Sequence, residues 1–134
     1  MYLLDTNICA YLMKGTFPAL SRKVLTVDPA ELAVSSVTVF ELYYGAAKSG
    51  WGEKSMQRLR VFLSSFQVLP FSEGDAIAAG QIRAELRKQG RPIGSYDVQI
   101  AAQGVAGGLK VVTHNVSEFA RVPGIRLEDW TEMV

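Results

Sequence analysis

Short apolar runs of strand character alternate with helix-length segments along the whole chain, and this alternation constrains the fold more than any other feature. Strand signals fall at YLL (2–4), ELAVSSV (31–37), QVLPFS (67–72), LKVVTHN (109–115) and IRLEDW (125–130). Helical patterns fill the gaps: Ile8, Cys9, Tyr11, Leu12 and Met13 on a first helix, then 38–49, 53–66, 73–90 and 95–108. Strands separated by helices pair in parallel through right-handed crossovers, which predicts an α/β, three-layer α/β/α domain around a central, mostly parallel sheet of four to five strands. Such sheets bind ligands beyond the carboxyl ends of their strands, where strand order reverses. Asp5 follows the first strand, Glu41 lies just beyond the second and Asn115 follows LKVVT. All three are expected at one edge.

With 134 residues, 49 % of them hydrophobic, one domain over 1–134 can bury a core without disulfides or structural metal. GRPIG (90–94) and GVAGG (104–108) read as punctuation within it. The apolar runs are too short to span a membrane. The N-terminus has an acid at position 5 and neither a basic head nor a small-residue cleavage site, so a cytoplasmic protein is expected. The single cysteine, Cys9, suits a small core position. A net charge of +1 gives no bulk attraction to nucleic acid, so any polyanion must be held by local patches.

Each acid has an ordinary explanation. Asp5 sits where a helix cap is needed, Thr38 to Glu41 fits a capping box, and Asp97 falls in a first turn that Ser95 would cap. Caps do not explain why three acids stand at helix starts in segments otherwise too apolar for the surface. Clustered oxygen donors suit Mg2+, or Mn2+, rather than zinc. One cysteine and one histidine exclude a classical structural zinc site, and no G-x-S-x-G elbow accompanies His114. His114 is read as a loop residue or substrate contact. The run GVAGGLK lacks the ending of a phosphate loop.

Taken together, LLDTN, SSVTVFELYYGAAKS, QIRAELRKQGRPIGSYDVQIAA and VVTHNVSEFARVPGIRLEDW resemble the PIN-domain ribonucleases, specifically the VapC-type toxins of bacterial toxin–antitoxin pairs. The resemblance implies a PIN-like fold, a Mg2+-dependent endoribonuclease (Mn2+ as substitute), and metal-assisted hydrolysis of phosphodiester bonds in cellular RNA. It makes Asp5, Glu41 and Asp97 the first, second and third acids of the active site, with Asp5 and Asp97 on the metal. Asn115 stands where many relatives carry an aspartate, and Glu118 is placed to supply the missing carboxylate. On that reading Asn115→Asp should tighten metal binding. Asn7 would line the pocket wall, and Thr6 would bond an acid or phosphate oxygen or simply start the helix. Arg83, Arg87 and Arg91, with Lys88, would form an RNA-contacting rim, or only a solvated helix end. The implied partners are a VapB-type antitoxin, RNA (initiator tRNA as the finest expectation) and a second copy in a homodimer. The competing expectations are a metal-dependent phosphatase with Asp5 as nucleophile and a non-catalytic interaction module in which the acids are only caps.

Overall fold

The computed structural model describes residues 1–50 and 52–132. Five strands, β1 (Tyr2–Leu4), β2 (Leu32–Ser35), β3 (Gln67–Leu69), β4 (Lys110–Val112) and β5 (Arg126–Glu128), form one sheet in the order β3-β2-β1-β4-β5. Every pairing is parallel. The α-helices are α1 (Thr6–Lys14), α2 (Pro18–Thr26), α3 (Ser36–Lys48), α4 (Gly52–Leu63), α5 (Glu73–Lys88), α6 (Ser95–Ala106) and α7 (Val116–Phe119). None of them is long and apolar enough to cross a membrane.

The strands are shorter than their apolar runs suggest, for local reasons. Ser35 ends β2 because its hydroxyl accepts from Val37 N–H at 3.0 Å and starts α3 there. Pro70 follows β3 and has no N–H for a ladder, and Ser72 with Asp75 then makes the capping box that opens α5. Helix α2 carried no sequence signal strong enough to register. Leu20 is its only fully buried residue, and Pro18 at its first position supplies the start.

Alternation along the strands divides the interior into two cores. Leu3, Ala33 and Val111 are in register on one face and pack with Leu86, Ile100, Ala101 and Phe119. Leu4, Val34 and Val112 share the other face with Ile8, Cys9, Leu20 and Leu59. A sheet covered on both faces is the expected three-layer arrangement. Cys9 is fully buried, as expected.

Helix α6 sits tightly on β4. A Cβ added at Gly104 would meet Val111 Cγ2 at 2.4 Å, a contact that nothing flexible relieves because Val111 is itself fully buried. Gly104→Ala should therefore cost about 1–3 kcal/mol through overpacking. A thermal melt should show a drop of several degrees, while an alanine at the open, helical Gly80 should show none.

Candidate active site

Strand order reverses at β1, which has β2 on one side and β4 on the other. The chain leaving β1 is stitched to β4 by Asp5 N–H donating to the Val112 carbonyl at 3.0 Å, and β4 is tied to β5 beyond its end by Thr113 N–H to Glu128. This edge receives the acids. Asp5 is 2 % exposed and caps α1, its Oδ1 accepting from Ile8 N–H at 2.8 Å. The cap and the buried acid are one residue, so the two readings of Asp5 do not compete.

Glu41 corrects the sequence reading. The cap of α3 is Ser35, Thr38 is fully buried, and Glu41 lies in the second turn, so no capping box joins Thr38 to Glu41. Thr6 Oγ1 instead donates to Glu41 Oε1 at 2.6 Å and lies 3.0 Å from Thr38 Oγ1. Because the Thr6 proton goes to the carboxylate, Thr38 is the donor to Thr6. Thr6, the first residue of α1, therefore both starts the helix and positions an acid. Ser95 does not cap α6 either: the helix begins at Ser95, Gly94 is its cap, and the Gly94 carbonyl accepts from Val98 N–H at 2.9 Å. Asp97 remains in the first turn, as expected.

Burial raises all three acids, and neighbouring carboxylates add to the rise at Asp5 and Asp97. Asp5 is pushed up to about 6, chiefly by burial, against hydrogen bonds with Thr113 and the Ile8 amide; Glu41 and Asp129 add to the rise. Burial raises Glu41 as well, opposed by the Thr6 bond. Asp97 reaches about 7 through burial, then the charges of Glu118, Asp5 and Glu41 and a hydrogen bond with Glu118. No cation stands among these influences. Glu118, Asp5 and Glu41 raise Asp97 with no cation opposing them, and the all-oxygen donor set fits a hard divalent ion. Among the described residues no three His, Cys, Asp or Glu side chains close on a common point. Asp5 and Asp97 could supply oxygen ligands, with water and phosphate oxygens filling the rest of a shell of the kind Mg2+ prefers.

Glu118 joins the cluster, while Asn115 meets it through Glu118. Glu118 Oε1 accepts from Gly94 N–H at 2.9 Å and its Oε2 accepts from Asn115 Nδ2. Asn7 is exposed in the first turn of α1. Arg83 and Arg87 line a cleft with Pro92, Ile93 and Val98, beside the turn that carries Asp97; Arg91 is exposed outside that lining. Arg87 and Lys88 also occupy the last turn of α5, where basic side chains suit the helix end. Phe40 and Tyr44 are 54 % and 59 % exposed and stack on one another at 6.4 Å.

Sequence reasoning missed Asp129 and Thr113. Asp129 follows β5 as Asn115 follows β4, so the strand-end rule that selected Asn115 applied equally to the acid in IRLEDW. Its Oδ2 lies 3.1 Å from His114 Nδ1, and Thr131 N–H and Oγ1 donate to its Oδ1 at 2.9 and 2.6 Å. Burial pushes Asp129 up, but these Thr131 and His114 contacts hold it below the usual range. Thr113 is fully buried and accepts from Asn115 N–H at 3.0 Å while bonding Asp5.

The raised acids set a pH dependence. A carboxyl whose folded pKa exceeds its unfolded value stabilises the fold most below the unfolded value and loses that contribution as pH rises through the folded one. For Asp5 and Asp97 the window runs from the ordinary 3.8 to about 6 and about 7. Metal-free wild type should therefore lose more melting temperature between pH 5 and pH 7.5 than Asp97→Asn does, and added Mn2+ should stabilise wild type more at pH 7.5. Parallel melts of the two proteins would refute the charge clustering.

An all-parallel sheet with carboxylates from β1's end, α3 and α6 gathered at its switch point defines the chain as a PIN domain, and the PIN-domain family model matches residues 2–125. The chain belongs to this family and, within it, to the VapC ribonucleases. It is 43 % identical to the tRNA(fMet)-specific endonuclease VapC of Shigella flexneri over 97 % of this chain and 98 % of that protein. It is 42 % identical to ribonuclease VapC2 of Haemophilus influenzae, over 96 % and 97 %. Its fold superposes on a DNA-bound VapBC from Salmonella typhimurium with a TM-score of 0.89 at 42 % identity, covering 96 % of this chain and 97 % of that one. A promoter-DNA-bound VapBC2 from Rickettsia felis gives 0.88 at 34 % identity, over 96 % and 98 %.

Proposed function

We propose that this chain is the toxin of a VapBC-type pair: an endoribonuclease in the cytoplasm, dependent on Mg2+ or Mn2+ and restrained by a VapB-type antitoxin. The observation that supports it most is Asp97, whose acidity answers to Asp5, Glu41 and Glu118 at once, so that carboxylates from four segments share one field. In this reading Asp5 and Asp97 hold the ion. When bound, it supplies Lewis acidity toward water and the phosphoryl oxygens. Glu41, held by the Thr6 hydroxyl, has an elevated proton affinity and accepts a proton from the attacking water. Asn115 lies at the same edge and supplies a neutral polar group near the scissile phosphate. Arg83 and Arg87 hold a flanking RNA phosphate, and Arg91 extends that rim.

Initiator tRNA is the proposed substrate because the Shigella flexneri relative is named for it. The phosphatase reading lacks a second acid two residues beyond Asp5, where Asn7 is exposed. The module reading fails to explain Glu41, which caps nothing.

Expression of the chain alone in a bacterial host should arrest growth, and sequencing of RNA ends should show new termini in initiator tRNA. Co-expression of the neighbouring small open reading frame should restore growth. Growth at the normal rate with folded protein present would defeat the toxin reading, and new ends confined to other RNAs would defeat the tRNA assignment.

A further inference from the structure

Glu118 is half-buried, and its neighbour Phe119 is 1 % exposed, so the short helix α7 is anchored in the core and its third residue is held in place. Both carboxylate oxygens are engaged by donors. Oε1 takes Gly94 N–H and Oε2 takes Asn115 Nδ2. Gly94 is the cap of the helix that carries Asp97, and a Cβ on Gly94 would stand 3.5 Å from Asp97 Oδ2 and 3.8 Å from Glu118 Oε1. One side chain therefore bridges the start of α6 to the turn after β4.

A carboxylate accepts and does not donate, so this contact also fixes the Asn115 amide. Its NH2 faces Glu118, and its carbonyl oxygen is turned the other way. We infer that Glu118 is a positioning residue which clamps the Asp97 turn and orients the Asn115 amide, and that Asn115 and Glu118 form a matched donor–acceptor pair that can be exchanged only together. The inference rests on the nuclease reading for its consequence but not for its geometry. It runs against the simple expectation for Asn115→Asp. An aspartate there sets two carboxylates face to face, whereas Glu118→Gln keeps Gly94 N–H only by turning its NH2 toward Asn115, whose amide must then flip and present NH2 instead of its carbonyl on the other side. The double replacement Asn115→Asp with Glu118→Gln restores the match in reverse: the introduced glutamine donates from its NH2 to the introduced aspartate, and its carbonyl accepts from Gly94 N–H. It also returns the pair to the charge of wild type.

Four proteins test this: wild type, each single variant and the double, with cleavage of a tRNA transcript measured at saturating Mn2+ so that differences in ion affinity drop out. The singles should lose at least about 10-fold in kcat, and the double should regain most of that loss, a coupling within the range of contacting residues. Calorimetry with Mn2+ alone should show no tightening in Asn115→Asp. In metal-free protein, Gly94 N–H should exchange about 5- to 10-fold faster in Glu118→Ala, the loss of one hydrogen bond.

A ligand role gives the opposite pattern. Excess Mn2+ would rescue Glu118→Gln fully, and Asn115→Asp would bind Mn2+ more tightly and cut at least as fast as wild type; either result overturns the clamp. A double variant no better than the singles overturns the matched pair. If wild type cuts no RNA, the nuclease reading fails separately, and Gly94 exchange still decides the clamp: unchanged exchange in Glu118→Ala overturns it.

Discussion

Asp5→Asn should lose RNA cleavage by at least about 100-fold, since losing a residue that merely orients a metal's ligands already costs about 10- to 100-fold and losing a ligand itself costs more. The same change should leave the fold almost untouched. Asp5 has two separable duties, and Asn keeps one of them. Its side-chain oxygen still accepts from Ile8 N–H, and Asn and Asp are equivalent caps, so the stability change should stay below about 1 kcal/mol. Removing a buried charge also relieves the desolvation that pushes Asp5 up to about 6. Activity and stability should thus separate cleanly in one variant. Cleavage at the wild-type rate by a folded Asp5→Asn protein would reduce Asp5 to a cap. Asp5→Ala is the complementary control: it removes both duties and should lower the melting temperature as well.

Removal of divalent ions should abolish cleavage, and Mg2+ or Mn2+ should restore it. The argument starts from charge. Asp97 is raised by Glu118, Asp5 and Glu41, and Asp5 by Glu41 and Asp129, with no cation among the influences on either. An RNA phosphate entering such a pocket meets only negative charge, and the repulsion is not screened where the carboxylates are buried. A divalent ion reverses the sign of the site. Because Mg2+ keeps several waters and takes substrate phosphates as ligands, the ion should bind more tightly with RNA present than to the free protein. Cleavage that persists in EDTA, with protein shown by elemental analysis to be metal-free, would remove the metal from the mechanism. Zinc should restore little, since the proposed ligands Asp5 and Asp97 are oxygen donors and neither a thiolate nor an imidazole is proposed beside them.

The layers of this fold follow from local rules that the residue pattern states directly. Alternating strand and helix patterns require parallel crossovers, and the inner strands YLL, LAVS and KVV are apolar enough to sit between two helical layers, while QVL and RLE take the more exposed edges. Asp5, Asp97 and Asn115 were legible as site candidates because each falls at a helix start or strand end, and those positions face the same edge whatever the details of packing. Helix α2 escaped because its contribution to the core rests on one buried leucine.

Other features depended on pairs far apart in the chain. Glu41 looked like half of a capping box because Thr38 stands three residues before it, and only the approach of α1 shows that Thr6 is its partner, 35 residues away. Asp129 stands at a strand end as Asn115 does, but its bearing on the site emerged only when β5 joined the sheet beside β4 and brought its field onto Asp5. Glu118 lies 24 residues from Gly94, and its role is set by a backbone N–H, a group every residue but proline carries and no sequence pattern marks. Residue order thus dictated the layers, the edge at which the acids collect and the family the chain joins. Which hydroxyl, amide or carboxylate each acid meets came from the packed fold, because hydrogen bonds and charge coupling act across space and the chain order does not record those distances.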